Sequence, residues 1–405
     1  MSEAHRLDTI TKFMIKNGFV YQGSGIYGGL ANTWDFGPKG VLLRHNVKQA
    51  WRRHFILSRA DMMEVDANIF MNPRVWEASG HTDTFSDCLV DDRKSNHRFR
   101  ADHLIFEQLD IDVEGKSPEE ITAIIRDNDL INPITGQKGN WTEARYMNMM
   151  FETNRDKVGN DPSGRIYLRP ETAQGIFVNF KNIVQTERPR IPFGIGQIGK
   201  AFRNEITPGN FLYRIIEFEQ MEIEYFIAPP KNDAEWNDLF EEWKTLQYEF
   251  FTQVMGLSQD NLRAKEHSEE KLSHYSKRTV DWEYNYLIGF KELSGLAYRT
   301  DFDLSRHQEF SGQDMRYRDP ETNEVYIPHV IEPTVGVDRL MMATLLDAYQ
   351  EEQLENEDIR IVLKLPYDLA PYQIAILPLM KKDGLAEKAI EFTQALRGQH
   401  ISVVS

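Results

Sequence analysis

Residues 199 to 226 read GKAFRNEITPGNFLYRIIEFEQMEIEYF, two strand-like runs around a polar turn. Arg203, Glu205, Arg214, Glu217, Glu219, Glu222 and Glu224 crowd this one hairpin, although strand interiors favour β-branched and aromatic residues. Strand side chains alternate faces, so Arg203 and Glu205 point the same way. On the return strand Arg214, Phe218, Gln220 and Glu222 share one parity, and Ile215, Glu217, Glu219 and Met221 share the other. An arginine, a carboxylate and a ring on adjoining strands suit an adenine nucleotide. The guanidinium pairs with phosphate, the carboxylate accepts from the adenine amine, and the ring stacks on the base. A solvated hairpin neutralised by its own cross-strand pairs fits the same residues, because surface pairs are common and weak. Both readings are open on the hairpin alone.

Further charge-bearing segments lie elsewhere. YLRPETAQGIF sets Arg169 and Glu171 on either side of Pro170, and KELSGLAYRTDFDL supplies Glu292, Arg299, Asp301 and Asp303. EPTVGVDRL places Glu332 and Thr334 at a strand end, with Gly336 opening a helix that bears Arg339. An arginine in a first helical turn works against the helix dipole. An anion at that helix N-terminus accounts for it. Two G-x-G-x-x-G matches, GSGIYG from Gly23 and GIGQIG from Gly194, lack the helix that a dinucleotide fingerprint requires. His81 and Asp83 in GHTDTFSD lack a third partner for a metal, and a loop of satisfied polar side chains is the better account of them.

The elements that must position these groups follow from periodicity. Residues 5–17 are helical, as are residues 39–58, where Val41, Leu42, His45, Val47, Trp51 and Phe55 recur at helical spacing. MMEVDANIFMNP is strand-like as far as Pro73. Residues 105–165 look like an inserted module with a Ser-Pro-Glu-Glu helix start at 117. Residues 166–226 are mostly strand-like, and 232–275 are helical and charged, a second insertion on a solvated face within 227–290. YIPHVIEPTVG is a strand and VDRLMMATLLDAY a helix. After LKLPYDLAPY a strand-helix-strand opens an α/β unit. It is too short to cover both faces of its sheet, and the expectation is a domain cut short.

With 405 residues the chain can hold two or three domains. No apolar run approaches the roughly 18 residues of a membrane span, and the amino terminus is polar where a secretory signal is apolar. Cys88 is the single cysteine, which excludes internal disulfides and Cys-based structural zinc and points to the cytoplasm. A net charge of −16, from 47 basic and 63 acidic residues, argues against a general polyanion binder. It leaves room for a local basic groove.

Residues 1 to about 370 resemble the catalytic core of the class II aminoacyl-tRNA synthetases, and in detail the dimeric glycyl-tRNA synthetases of bacterial and eukaryotic type. The first class signature resembles the helix 39–58 with the strand to Pro73, the second Phe202-Arg203-Asn204-Glu205 with its loop and the strand 213–225, the third Gly336 to Arg339. GLANTWDFGPKG, WEASGH, RPETAQGIF, AFRNEI and EFEQME are further words similar to that family. The resemblance implies an α+β fold: an antiparallel sheet flanked by helices over residues 1–365, then the start of an anticodon-binding α/β domain over 366–405. It implies ATP-dependent activation of glycine, transfer of glycyl to the 3′-terminal adenosine of tRNA(Gly), and a homodimer formed through the 39–58 region. A chain shortened in the last domain is expected to form adenylate but to charge tRNA poorly.

The resemblance also implies roles for residues. Arg203 and Arg339 are the catalytic pair, on the α- and γ-phosphates. ATP is held by these two with Asn204, Glu205, Tyr213, Arg214, Phe218, Glu292, Leu293, Gly336 and Asp338, and Glu292 with a second carboxylate holds Mg²⁺. Glycine has no side chain to recognise, so its ammonium and carboxylate must supply the binding energy. Glu171 and Glu332 hold the ammonium, with Arg100, Phe218, Gln220, Glu222, Arg299 and Thr334 around them. The family more often carries Ser at the position of Thr334.

Overall fold

The computed structural model describes all residues except 1–2, 114, 156–163, 207–208, 269–271, 274, 356–357, 381, 399–400 and 405, and the side chains of 3–4. Its centre is a seven-stranded sheet. In chain order the strands are β1 (Met62–Glu64), β2 (Phe193–Phe202), β3 (Glu217–Ile227), β4 (Leu262–Glu266), β5 (Arg278–Asn285), β6 (Phe290–Thr300) and β7 (His329–Gly336). Their spatial order is β4-β5-β6-β7-β3-β2-β1. Every pairing is antiparallel except β1 with β2. The core is completed by the helix Glu3–Lys16, through Leu7, Ile10 and Met14, and by α1 (Pro38–Trp51), α2 (Ala173–Glu187), α3 (Asp233–Glu249), α4 (Phe302–Ser311) and α5 (Val337–Ala348). This is the expected α+β class.

Sheet alternation decides what each face does. On β3, Met221, Ile223, Tyr225 and Ile227 join the large core with Trp51, Phe55, Trp243, Phe250 and Met341 from the helices α1, α3 and α5 and their extensions. On the other face Phe226 packs with Phe177 and Phe180 of α2 and Leu304 of α4. Beyond Phe226 that second face carries Glu224, Glu222, Gln220 and Phe218, and no helix of the second core covers the last two. The glycines of GIGQIG serve the sheet. A Cβ at Gly194 would meet Met62 Sδ at 2.4 Å, and one at Gly199 would meet Arg169 Nη2 at 2.2 Å. They permit close approach, as strand glycines commonly do.

Four expectations change. The helix 39–58 buries Leu43, Val47, Ala50 and Trp51, whereas Val41 is 54% exposed. The core stripe is therefore displaced from the spacing that Val41 suggested, and a π-helical turn at Arg52–Leu57 shifts it again. Residues 166–226 contain the fifteen-residue helix α2. The first inserted module begins before residue 105. Strands Ser86–Asp91, Arg98–Arg100 and Arg145–Asn148 form its sheet, and Val90, Phe99, Leu104, Ile105, Ile121 and Ile125 form its own core. The Ser117 start is a full capping box with Glu120. The second expected insertion is instead part of the central body. α3 buries Trp236, Phe240, Trp243 and Gln247, and β4 and β5 extend the main sheet. Beyond residue 366, Ile374–Ala375 pairs in parallel with Val403–Val404 across the helix Leu385–Gly398, the strand-helix-strand that the sequence suggested.

Candidate active site

The uncovered face of β3, β6 and β7 forms a cavity of about 320 Å³. Arg203, Glu205, Tyr213, Arg214, Phe218, Glu292, Leu293, Gly336, Asp338 and Arg339 line it, and so do Glu171, Gln220, Glu222, Arg299, Glu332 and Thr334. The two expected residues outside this lining are Asn204 and Arg100. Asn204 is fixed through its backbone N–H to Met149 O, at 2.8 Å. Arg100 is held in ion pairs with Asp87 at 3.1 Å and Asp102 at 2.6 Å.

The charges of the hairpin divide between the two faces of β3, and the face away from the cavity is not a solvated edge, because Glu219 there is 13% exposed beneath α1. Odd-numbered acids are neutralised on the side that packs against α1: Glu219 by Lys48 at 3.0 Å and Arg44 at 3.2 Å, both from that helix, and Glu217 by Lys200 of β2. Phe218, Gln220 and Glu222 face the cavity. Arg44 also pairs with Asp338 at 3.0 Å, and Asp338 accepts from the Glu219 N–H at 2.8 Å. The helix α1 is thereby tied to the start of α5, where Arg339 sits.

At the arginine-rich end, the Arg203 guanidinium stands over the rings of Phe85 and Phe218, 5.3 and 5.4 Å from their centroids, and donates to Pro170 O at 3.1 Å. Arg214 lies 3.6 Å from Glu205. Arg339 is 4.6 Å from the Tyr213 ring centroid, donates to Tyr213 O at 3.2 Å and pairs with Glu292 at 3.2 Å. Burial works against the Arg339 charge, but Glu292 holds its pKa above the usual range, and Arg339 in turn lowers that of Glu292. Asp281 also lines this end, receiving His267 Nε2 at 2.7 Å. Burial first, and Glu292 next, raise the Asp281 carboxyl.

The opposite end is acidic and dry. A register shift between Tyr298 and Thr300 interrupts β6 at Arg299, and bulges of this kind re-aim a side chain. Arg299 is 2% exposed. It donates to both Asp303 oxygens at 2.8 and 2.9 Å and to Glu332 at 2.8 Å, beneath the Tyr275 ring. Gln174 bridges Glu171 and Asp303 at 3.0 Å each and meets His307 at 2.8 Å. His81 is partnered on both ring nitrogens, by Ser79 at 2.8 Å and Glu171 at 3.3 Å. Burial alone would raise the Glu171 carboxyl, yet His81, Arg299 and Gln174 hold it well below the ordinary range. Glu222 accepts from the Thr172 hydroxyl, and its carboxyl is raised by burial and by Glu171. Burial pushes Glu332 up to about 8, against the pull of Arg299.

Sequence reasoning missed several members of this end. Tyr275 carries no motif of its own, and Gln174 stands inside RPETAQGIF with no role assigned to it. His81 stood out in GHTDTFSD only as an incomplete metal ligand, and its contact with Glu171, 90 residues away in the chain, is what joins it to this end. The signal for Glu224 was its parity with Glu222.

An antiparallel sheet that carries arginines for an anion at one end and buried acids at the other defines the core of a class II aminoacyl-tRNA synthetase. The family model described as "tRNA synthetase class II core domain (G, H, P, S and T)" matches residues 156–349. The "Glycine--tRNA ligase" of Alkaliphilus oremlandii (strain OhILAs) is 49% identical over 401 residues, 98% of this chain and 85% of that protein. The protein of the same name from Staphylococcus aureus (strain JH9) is also 49% identical, covering 97% of this chain and 85% of its own length. The chain belongs to the glycine–tRNA ligase family.

Proposed function

We propose that the cavity joins glycine to tRNA(Gly) in two steps. First, a glycine carboxylate oxygen attacks the α-phosphorus of ATP, forming glycyl-adenylate and expelling pyrophosphate. Second, a hydroxyl of the terminal adenosine of tRNA attacks the glycyl carbonyl carbon and AMP leaves. The carboxylate is itself the nucleophile, so no catalytic Ser or Cys is needed, and positioning and charge stabilisation supply most of the rate. Arg203 holds the α-phosphate, Glu205 accepts from the adenine amine, Phe218 stacks on the base and Arg339 meets the γ-phosphate. Glu171, Glu222 and Glu332 hold the glycine ammonium. The observation that carries this assignment is the polarity of one cavity, cationic on one side and buried-acidic on the other.

Class II synthetases use ATP with a divalent metal. Asp281 of β5 and Glu292 of β6 both line the cavity and supply the hard oxygen donors that Mg²⁺ prefers. Such an ion neutralises phosphate charge when bound. We assign it to this pair, Asp281 being the second carboxylate.

The homodimer belongs to the same proposal. Exposed Ile26, Tyr27 and Leu30, with Val41 and Leu57 at either end of the first signature helix, give the α1 region an apolar outer surface. Sedimentation at graded concentrations tests it, with a monomer at all of them counting against it. No described helix is long and apolar enough to cross a membrane; work in the cytoplasm, where tRNA is charged, is part of the proposal.

Glycine-dependent exchange of labelled pyrophosphate into ATP tests the first step. Exchange with alanine or serine but not glycine would overturn the substrate, and no exchange with any amino acid would overturn the enzymatic assignment.

A further inference from the structure

Among the acids of this cluster, Glu224 has no task in the chemistry above. It lies on β3, 0% exposed, and neither of its carboxyl oxygens has a hydrogen-bond partner. Buried polar groups are almost always bonded, and an unbonded one is costly. On the paired strands Glu222 faces Thr334 and Tyr225 faces Ile331, so Glu224 lies across from Glu332. Like charges placed opposite one another destabilise a sheet.

The geometry of this pair extends to a third acid. One oxygen from each of Glu222, Glu224 and Glu332 lies within 4.8 Å of the other two. Three points so spaced have a common centre within about 2.8 Å of each, the length of a charge-assisted N–H···O bond. A primary ammonium carries three N–H donors. Magnesium fits this cage less well, since it usually keeps several waters and all three acids are buried.

The surroundings leave the trio without enough positive charge. On β6, Arg299 is committed to Asp303 and Glu332. From α4 come Asp303, an acid, and His307, whose pKa is lowered by burial. From the start of α2 come Glu171, another acid, and the Thr172 hydroxyl, which is given to Glu222. Gln197 of β2, opposite Glu222, is neutral, and both its amide atoms lack partners. Burial first, then Glu332, push the Glu224 carboxyl well above its ordinary range.

We propose that Glu224 is a further carboxyl of the glycine ammonium site, beside Glu171, Glu222 and Glu332, and that in the empty protein it holds a proton which leaves as the ammonium enters. This rests on the assignment of the ammonium to Glu222 and Glu332. The exchange is electroneutral: the Glu224 O–H bond breaks, its proton passes to buffer, and one positive charge replaces another. It lets a dry acidic pocket exist before its ligand arrives. Glycine affinity accordingly rises with pH through neutrality, because protons favour the empty form.

Calorimetric titration with glycine at about pH 7, in two buffers of different ionisation enthalpy, reads the proton directly. The wild type is expected to give buffer-dependent heats equivalent to about one proton released. Its glycine Kd should tighten by up to about tenfold per pH unit over the range where that proton is lost. Glu224→Gln should bind glycine about tenfold to a hundredfold more weakly, the scale of one lost charged hydrogen bond, with a smaller buffer dependence, the remainder belonging to Glu332, itself pushed up to about 8. Equal wild-type heats with a pH-independent Kd would overturn the proposal, and so would undiminished proton release from Glu224→Gln. Should that variant not fold, the wild-type buffer pair and pH series decide alone. Absence of both glycine heat and glycine-dependent exchange would remove the ammonium site itself, a failure distinct from binding without proton release.

Discussion

The two ends of the cavity are built on different physical terms. At the acidic end Arg299 is locked by three hydrogen bonds to two carboxylates and is almost wholly buried. At the arginine-rich end Arg203 makes one bond, to a backbone carbonyl, and Arg339 pairs with Glu292, whose side chain is 49% exposed. A site that takes up and releases phosphates in every cycle is served by cations with light, exchangeable partners. A site that must recognise an amino acid without a side chain is served by a rigid, desolvated cage, where electrostatic interactions are strongest. On the proposed assignment the first end contributes mainly to rate, and the second to both stability and recognition.

Arg299→Ala gives the largest effect by which this contrast can be broken. It strands Glu332 and Asp303 as buried carboxylates, and loss of one partner from such a network costs about 3–5 kcal/mol. An unfolding free energy from urea denaturation lowered by that amount is expected. Arg299→Lys should recover little, because an ammonium cannot reproduce the forked geometry toward Asp303 and Glu332. A stability close to wild type would mean that the acidic end is wetter than its burial indicates.

Arg203→Ala probes the other end. Its guanidinium contacts two rings and one carbonyl, so stability should move by less than about 1 kcal/mol, as for substitutions away from a packed network. Glycine-dependent pyrophosphate exchange should fall by at least about a hundredfold, the scale of losing one preorganised donor to developing charge. A loss of stability matching that of Arg299→Ala would erase the distinction between the ends. Full exchange activity would remove Arg203 from the phosphate site.

Ser117→Ala separates the cavity from the inserted module. The capping box joins Ser117 and Glu120 on a helix whose apolar side lies in the module's own core. Its loss should cost about 1 kcal/mol of local stability, read by hydrogen exchange, with adenylate formation unchanged. A fall in exchange activity would show that the module and the catalytic sheet are coupled.

What could be read from the sequence follows the same contrast. The parity of Phe218, Gln220 and Glu222 was legible because a strand's period is two, and the structure keeps it intact. The helix α2 was not legible. Its N-cap residue, Thr172, gives its hydroxyl to Glu222 and makes no capping bond, so a start signal was diverted to the cavity. The stretch 232–275 read as a solvated insertion because its many charges outweighed Trp236, Phe240 and Trp243, the three aromatics that α3 buries. Contacts between distant segments, such as His81 with Glu171, leave no local period at all.

Thr334→Ser is the finest test of the acidic end, and the smallest in expected size. The Thr334 hydroxyl favours the ionised form of Glu222, an influence that a serine hydroxyl can repeat. Only the methyl is lost. That methyl stands over Gly295 on β6, where a Cβ would meet Thr334 Cγ2 at 3.4 Å, so it fills space that a side chain at 295 would otherwise occupy. If the methyl narrows the glycine pocket, its removal makes room for the methyl of alanine. One such group is worth about 1–3 kcal/mol at most, and a serine that relaxes into the gap returns part of that. Alanine-dependent exchange relative to glycine should rise by about tenfold or less, with the ATP KM unchanged because the arginine end is untouched. An unchanged ratio would place the methyl in packing alone, and exclusion of alanine would then fall to the rigid acid cage around the ammonium.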